Sequence, residues 1–400
     1  MTNINAALEI GTSRTVLAVG EGKPGERLKV TCHAEIPSTK IRKGQILDMK
    51  QATRSVQSVL RETEKHKDES GDSFAICNAF LVVSGQHVKA DPFQGVAIVG
   101  GGKVSAADID EAVRSAHSMP MPPERELLDV VEQAYTLDSL GGISSPKGMS
   151  GRTLKLDTLQ IHADANRIND ARTAAEGAHL ELRDPLFAAV CAADATLDDR
   201  ERRDGALVLD LGGGSTGYAA YCDGYLVAAG VIGVGGDHVS SDIAYAFQTT
   251  HAQAENLKTH EASAIVGLDR EASERVSVPG FSPLMEAKTV SRRALDTVVN
   301  LRLKELLSII RETMEARDLL HRMHAGVALT GGGAAMRGLD ELAQRELGLP
   351  VRIGKPSNVD GLDDVANPAS YAAVAGALLY AHSNYERKPL FGSLFKGLFR

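Results

Sequence analysis

Three glycine-rich segments, each directly after a short apolar run, hold the residues of this sequence that are best suited to bind phosphate. Glycines between two hairpin strands let backbone N–H groups come within hydrogen-bond distance of phosphate oxygens, and small hydroxyls add donors without blocking the approach. Any one segment alone would also suit an ordinary turn that needs positive φ angles. Because three occur, we predict a phosphate-binding site. The segments are Gly11-Thr12-Ser13, Leu211-Gly212-Gly213-Gly214-Ser215-Thr216 and Thr330-Gly331-Gly332-Gly333.

One carboxylate stands beside these loops. Asp210 comes immediately before the second segment. Mg²⁺ keeps most of its hydration shell in proteins and needs only one or two carboxylates. We therefore expect Asp210 to hold Mg²⁺ through water, with a simple strand-end residue as the alternative. A fourth glycine run, Gly100-Gly101-Gly102-Lys103, is not a P-loop, since Ala97 and Val104 stand where that motif requires glycine and a hydroxyl residue.

The elements that must position the first two segments are alike. Residues 6–10 and 14–19 are predicted strands on either side of the first, and residues 206–210 and 217–222 flank the second. The repetition predicts a duplicated, two-lobed α/β fold with its ligand between the halves. Further predicted elements are helices at 48–65, 105–118, 164–182, 184–197 and 288–321, strands at 80–83, 94–99 and 326–329, and an irregular stretch at 119–155 within an inserted α+β module.

Composition excludes several classes of protein. The formal net charge of -8 over 400 residues disfavours general nucleic-acid binding. The four widely spaced cysteines indicate neither a zinc site nor a disulfide framework, and suit a reducing cytoplasm. The first ten residues lack a signal-peptide pattern, and no apolar run reaches the roughly 18 residues of a spanning helix.

The last residues have the pattern of an amphipathic helix. At about 100° per residue, six apolar side chains fill one half of such a helix. Arg387, Lys388, Lys396 and Arg400 against Glu386 give this tail a local charge of +3. A helix docked on its own core is the alternative, but apolar and basic residues together favour an anionic lipid surface. The six are Leu390, Phe391, Leu394, Phe395, Leu398 and Phe399.

These motifs together resemble the FtsA family of actin-like bacterial cell-division proteins over nearly the whole chain. Residues 8–13 resemble the family's first phosphate motif, residues 210–216 the second, and residues 328–334 the adenosine motif. Residues 242–247, 254–258, 146–151 and 351–354 also match. The glycine loops alone would indicate only the superfamily of actin, Hsp70 and the sugar kinases.

The resemblance implies an ATP site and assigns residues to it. Arg14 would join the two phosphate loops, and Met336 would accompany the adenosine loop of Gly331, Gly332 and Gly333. Glu255 and Lys258 would reach the ribose and base, with a plain surface ion pair as the alternative. Glu9 stands where the superfamily usually has Asp and would share Mg²⁺ with Asp210 through water, which leaves ATP binding intact but hydrolysis weak at most. No residue is expected to be a catalytic nucleophile or base.

The resemblance also implies the architecture: an actin-like (ribonuclease-H-like) α/β fold of two lobes with an inserted SHS2-type α+β subdomain. The expected divisions are a first lobe (1–79, 161–203, 367–383), the insert (80–160), a second-lobe core (204–246, 312–366), a small subdomain (247–311) and a membrane-targeting helix (384–400). In the family the insert contributes to filament contacts and to recruitment of later division proteins, and a soluble loop-rich insertion with no partner is the alternative.

The implied function is to polymerise with ATP and to tether filaments of FtsZ, the tubulin-like division protein, to the cytoplasmic face of the cell membrane at the septum. The FtsZ tail would dock on the small subdomain, with Arg302, Arg293 and Lys304 as basic candidates and mere surface solvation as the alternative. Expected partners are the FtsZ tail, further copies of the chain, anionic lipid and later division proteins, but no nucleic acid. The rival functions are a small-molecule kinase of the superfamily and a pilus-assembly adaptor of the same fold.

Overall fold

A computed structural model describes residues 3–23, 25–70, 75–118, 120–267, 274–281 and 286–384. The strands are β1 Asn3–Ile10, β2 Arg14–Gly22, β3 Leu28–Pro37, β4 Ile41–Arg42, β5 Gln45–Ile46, β6 Asn78–Val83, β7 Lys89–Ile98, β8 Arg125–Leu137, β9 Leu140–Ile143, β10 Thr153–Asp164, β11 Glu181–Phe187, β12 Ala206–Leu211, β13 Thr216–Cys222, β14 Tyr225–Ile232, β15 Arg275–Val278, β16 Lys288–Ser291, β17 Gly326–Thr330, β18 Val351–Ile353 and β19 Val359–Asp360. The helices are α1 Met49–Ser70, α2 Ala106–His117, α3 Ala165–Glu176, α4 Ala188–Thr196, α5 Asp199–Asp204, α6 Gly236–Phe247, α7 His251–His260, α8 Arg292–Glu315, α9 Leu339–Leu347 and α10 Ala372–Asn384.

Two sheets of similar plan form the two lobes. The first has the order β11-β6-β1-β2-β3-β19 and the second β14-β13-β12-β17-β18. In each, an antiparallel hairpin (β1–β2 or β12–β13) lies beside a parallel neighbour, β6 or β17. The hairpins end at the pairs Ile10↔Thr15 and Leu211↔Thr216, so both predicted phosphate loops are hairpin turns. The duplicated, two-lobed α/β fold is confirmed.

The first lobe is built from distant parts of the chain. Helix α10 packs against α4 and the sheet, and its side chains share one core with Ala7, Val16 and Phe80. The approach of α10 to α4 is close, since a Cβ on Gly376 would lie 1.7 Å from the carbonyl oxygen of Cys191. Small residues along both helices allow this distance.

The insert is a four-stranded antiparallel sheet of order β7-β10-β8-β9, covered on one face by α2. Ser105 caps α2 with a reciprocal capping box to Asp108. The expectation that residues 119–155 are irregular was wrong, because β8 runs through Arg125–Leu137. Paired apolar residues such as Leu127 and Leu128 hide the strand's alternation, and most of its side chains are half-buried.

The insert also contacts the second lobe, because β7, β8 and β10 all pack against β14, the edge strand of the second-lobe sheet. Leu159 and Ile161 of the insert share a buried cluster with Leu226 and Ala229 of β14. The insert therefore touches both lobes.

Three of the predicted helices have clearly different boundaries in the structure. Helix α3 ends at Glu176, although a helix to residue 182 was expected. Residues 181–187 form strand β11, where a helix from 184 was expected, because a strand at the edge of the sheet tolerates Pro185. The helical region predicted at 288–321 begins with β16, and α8 starts only after the N-cap Ser291. No helix in the described part of the chain is long and apolar enough to span a bilayer.

Candidate functional site

The two hairpin turns face each other across the cleft between the lobes. A Cβ placed on Gly213 would lie 3.0 Å from the Cβ of Ser13, and one on Gly214 would lie 2.8 Å from Oγ1 of Thr12. Neither glycine has a positive φ, so close approach between the lobes, rather than the turn itself, excludes a side chain there. The same type of hairpin turn thus occurs twice, with the two copies in contact.

Behind this contact the cleft opens into a cavity of about 640 Å³. The structure brings fifteen of the sixteen predicted nucleotide-binding residues to its walls: Gly11, Thr12, Ser13, Arg14, Asp210, Gly212, Gly213, Gly214, Ser215, Glu255, Lys258, Gly331, Gly332, Gly333 and Met336. The exception is Thr216, which is fully buried and whose Oγ1 donates to the carbonyl oxygen of Val234 at 2.8 Å. Its hydroxyl supports the fold and does not face the cavity.

Two carboxylates face the cavity from opposite lobes. Glu9 is on β1 and Asp210 on β12. Removal from water raises the pKa of both groups, and the charge of Asp210 raises the pKa of Glu9 further, while Arg14 opposes both shifts. A divalent cation would relieve this mutual repulsion. The described residues hold no cluster of three or more protein ligands for a metal.

Arg14, at the end of the first predicted phosphate loop, contacts Ser370 and Tyr371, which are distant from it in sequence. Its guanidinium donates to the Ser370 hydroxyl at 2.9 Å and also contacts the Ser370 carbonyl and Glu35. It lies 5.3 Å from the ring centre of Tyr371. These contacts fix the side chain at the cavity wall, where its positive charge faces Glu9 and Asp210.

Helices α6 and α7 and the third glycine loop form a further part of the cavity wall. Lys258 Nζ donates to Glu255 at 2.6 Å and to the Gly236 carbonyl at 3.2 Å, and Ser240 donates to Glu255. Burial opposes ionisation of Glu255, but the Lys258 charge and these hydrogen bonds lower its pKa overall. The pair is therefore a bridge between α6 and α7 as well as part of the cavity wall.

Gly331 has a conformational reason to be glycine. Its φ is +78°, and a Cβ there would lie 2.5 Å from Asp210 Oδ1 and 2.7 Å from the Leu211 carbonyl oxygen. Gly332 has nothing within 4 Å of an added Cβ, so its face is open to the cavity.

Sequence reasoning missed several cavity residues. Gly235, Gly236 and Asp237 line it at the start of α6, and Ser84 with Gly85 lines it at the end of β6. A signal existed for the first group, since Gly233, Gly235 and Gly236 form a further glycine-rich turn before a helix. Ser84 and Gly85 gave no signal of their own.

Comparison with known proteins shows the family of this chain. The family model for cell division protein FtsA matches residues 207–376, and that for the SHS2 domain inserted in FtsA matches residues 85–162. Cell division protein FtsA of Escherichia coli K12 is 31% identical over 388 residues, which are 94% of this chain and 90% of that protein. The chain belongs to the FtsA family. FtsA of Pseudomonas aeruginosa is 30% identical over 373 residues, 93% of this chain and 88% of the relative.

Solved structures share the actin-like fold of this FtsA family member. The PilM-PilN type IV pilus biogenesis complex superposes with a TM-score of 0.65 at 19% identity, covering 94% of this chain and 98% of that one. MreB5 of Spiroplasma citri bound to AMPPNP gives 0.54 at 14% identity, covering 96% and 98%. With the match to the inserted SHS2 domain, they confirm the predicted actin-like fold with its insert.

The predicted partner-binding residues lie on α8 and do not line the cavity, although Leu303 and Leu306 of the same helix do. Arg302 forms a two-pronged ion pair with Asp242 of α6, at 2.5 and 3.0 Å, and also contacts Glu305. Lys304 pairs with Glu346 at 3.2 Å, whereas Arg293 is exposed. The predicted membrane residues Leu390, Phe391, Leu394, Phe395, Lys396, Leu398, Phe399 and Arg400 lie outside the described residues.

Proposed function

We propose that this FtsA family member binds ATP with Mg²⁺ in the interlobe cleft, polymerises, and tethers FtsZ filaments to the cytoplasmic membrane at the division site. The observation that carries the proposal is the cavity itself, which two phosphate loops from different lobes and the third glycine loop line together. Family membership supports the role in division, where assembly of the ring and recruitment of later septal proteins through the insert would follow.

ATP would act mainly as a structural ligand. Its phosphates would lie in the cavity behind the contact between the turns at Gly11–Ser13 and Gly212–Ser215, so binding would hold the lobes together through both turns. Glu9 and Asp210 would hold Mg²⁺ through water, and the ion would supply charge neutralisation between phosphates and carboxylates. The cavity wall beside β11 is formed by Phe187 and Ala188, which offer no side chain to activate water, in keeping with slow hydrolysis at most.

The FtsZ tail would bind across α6 and α8 on the second lobe. Tyr245 is 90% exposed on α6 and Leu301 is 62% exposed on α8, which gives these neighbouring helices apolar surface beside the Arg302–Asp242 pair. Large exposed apolar side chains next to a charge are typical of peptide-binding surfaces. An acidic tail would compete with Asp242 for Arg302.

This competition gives a test with two opposite signs. Arg302→Glu should weaken binding of an FtsZ-tail peptide by at least about fivefold, and Asp242→Asn should strengthen it by up to about fivefold, the range measured for partly exposed ion pairs. Arg200→Glu, which reverses an exposed charge on α5, is the control. Fluorescence anisotropy with a labelled peptide measures all three. Equal affinities for the three variants would remove Arg302 from the site.

Membrane attachment is tested by co-sedimentation with anionic liposomes in ATP. The full chain should sediment with the vesicles, and a chain that stops at Ser383 should not. One short basic amphipathic helix gives only reversible attachment, so filaments that present many helices should bind more tightly than monomers. Equal sedimentation of both chains in the absence of filaments would show that residues 384–400 are not the anchor.

The two rival functions are less well supported. A small-molecule kinase needs an acidic base that faces a substrate pocket, but Glu9 and Asp210 already face the proposed phosphate site. A pilus-assembly adaptor shares the fold, yet this chain is 31% identical to an FtsA and 19% identical to the PilM-PilN structure.

A further inference from the structure

A small hairpin of the first lobe lies beside the two predicted phosphate loops. Its strands β4 and β5 pair as Ile41↔Ile46 and Arg42↔Gln45, which leaves Lys43 and Gly44 as a two-residue turn. Both turn residues have positive φ, +49° and +73°. Such turns favour Asn-Gly, Asp-Gly or Gly-Gly, so a lysine at the first position is unusual for the turn alone.

The tip of this hairpin lies between the two phosphate loops. The Gly44 N–H donates to Oγ1 of Thr12 in the first loop at 3.2 Å. A Cβ on Gly214 in the second loop would lie 2.9 Å from Cα and 3.0 Å from N of Lys43. The tip also packs on the cavity residues Ser84 and Gly85. The backbone of Lys43 is therefore fixed beside cavity residues of both lobes.

The Lys43 ammonium has no anionic partner among the described residues. Within the described residues it makes no ion pair and no hydrogen bond, although Lys43 is half-buried. Its charge lies near the start of α6: burial lowers the pKa of His238, and Lys43 lowers it further. His238 in turn accepts the N–H of Gly235, a cavity residue, at 3.1 Å. An unpaired lysine on a flexible stem beside two phosphate loops is suited to bind an anion.

We propose that Lys43 is a phosphate-binding residue supplied by the β4–β5 hairpin, which recognises the terminal phosphate of a nucleoside triphosphate when both lobes enclose it. The inference rests on the proposed nucleotide site and adds to it a residue that separates triphosphate from diphosphate. Because the hairpin belongs to the first lobe and the adjacent Gly214 to the second, the contact forms only in the closed arrangement.

The test compares ATP and ADP affinities of the full chain by isothermal titration calorimetry with Mg²⁺. Lys43→Asn removes the charge but keeps a residue that tolerates positive φ, and Lys43→Arg keeps the charge. Lys40→Asn is the matched control, because Lys40 also has positive φ, at +59°, but is exposed and three residues away.

Lys43→Asn should lower ATP affinity by at least about tenfold, the ratio that a lost charge-assisted hydrogen bond produces, and change ADP affinity less than about twofold. Lys43→Arg and Lys40→Asn should stay close to the parent for both nucleotides. Retained ADP binding also shows that the Asn variant is folded. Unchanged ATP affinity, or equal losses for ATP and ADP, would overturn the role of Lys43. A parent chain that binds neither nucleotide would instead refute the nucleotide site, and the role of Lys43 with it.

Discussion

Substitution of Gly214 by alanine, which adds one carbon, should hinder closure of the two lobes. The methyl group of Gly214→Ala would lie 2.8 Å from Thr12 Oγ1, 2.9 Å from Lys43 Cα and 3.0 Å from Lys43 N, whereas ordinary contacts are 3.4–4 Å. All three atoms belong to the first lobe, and two are backbone. The backbone angles of Gly214 accept alanine, so the strain arises between lobes and not within the second one.

The size of the effect follows from this geometry. Overpacking a close contact typically costs about 1–3 kcal/mol. If the lobes separate slightly when no ligand is bound, the ligand-free protein avoids most of this cost. If ATP binding requires closure, the cost reduces affinity instead, by roughly 5–150-fold.

The assay is titration of the full chain with a fluorescent ATP analogue in Mg²⁺, with thermal denaturation of the ligand-free protein alongside. Gly101→Ala is the matched control, because that glycine of the insert has nothing within 4 Å of an added Cβ and no positive φ. ATP affinity of Gly214→Ala within about twofold of the parent would refute a closure in which these two loops touch.

Three further outcomes are expected. Removal from water raises the pKa of Glu9 and Asp210, so their ionised forms destabilise the ligand-free fold as pH rises, whereas protons compete with Mg²⁺ for the two carboxylates as pH falls. The gain in nucleotide affinity that Mg²⁺ provides, measured by calorimetry, should therefore shrink from about pH 8 to about pH 6. An undiminished gain at about pH 6 would contradict this. Glu9→Gln should flatten that dependence and stabilise the ligand-free chain at the higher pH only. Gly331→Ala should destabilise the ligand-free chain by about 1–3 kcal/mol in denaturant unfolding, while Gly332→Ala, with open space around it, should not; equal stabilities would show that the positive φ at 331 is not needed. Thr216→Val should lower stability by about 1 kcal/mol through loss of the bond to Val234 yet leave ATP affinity unchanged, and a loss of affinity would return Thr216 to the site.

The glycine loops and their flanking strands could be predicted from sequence because their cause is local. Gly11, Gly212 and Gly331 each stand at the end of an apolar strand, and the threefold occurrence of this pattern distinguishes it from a single ordinary turn. Fifteen of the sixteen predicted nucleotide-binding residues accordingly line one cavity. The prediction for Thr216 was wrong because its hydroxyl donates to the carbonyl oxygen of Val234, just after β14, which lies beside it only in the folded chain.

What could not be predicted depends on contacts between distant parts of the chain. The pairing of Arg302 with Asp242 joins residues 60 positions apart, and nothing in α8 alone indicates that this charge is already paired. Strand β8 has half-buried side chains on both faces, because α2 of the insert and β14 of the second lobe both lie near it. Its apolar residues therefore show neither a helical nor a strand period. In the sequence, Lys43 is only a basic residue before a glycine. The folded hairpin places it beside Gly214.

The order in which the lobes become complete follows from the discontinuous core of the first one. The sheet β14-β13-β12-β17-β18 is finished once the ribosome has delivered residue 353, whereas the first-lobe sheet still awaits β19 and its core awaits α10. The second lobe can thus fold during translation while its partner remains an incomplete intermediate. Residues 385–400 follow α10 directly, so the segment proposed to reach lipid is synthesised only after every part of the ATP cleft. A chain that is still being synthesised therefore contains the residues of the cleft before it contains the segment proposed to reach lipid.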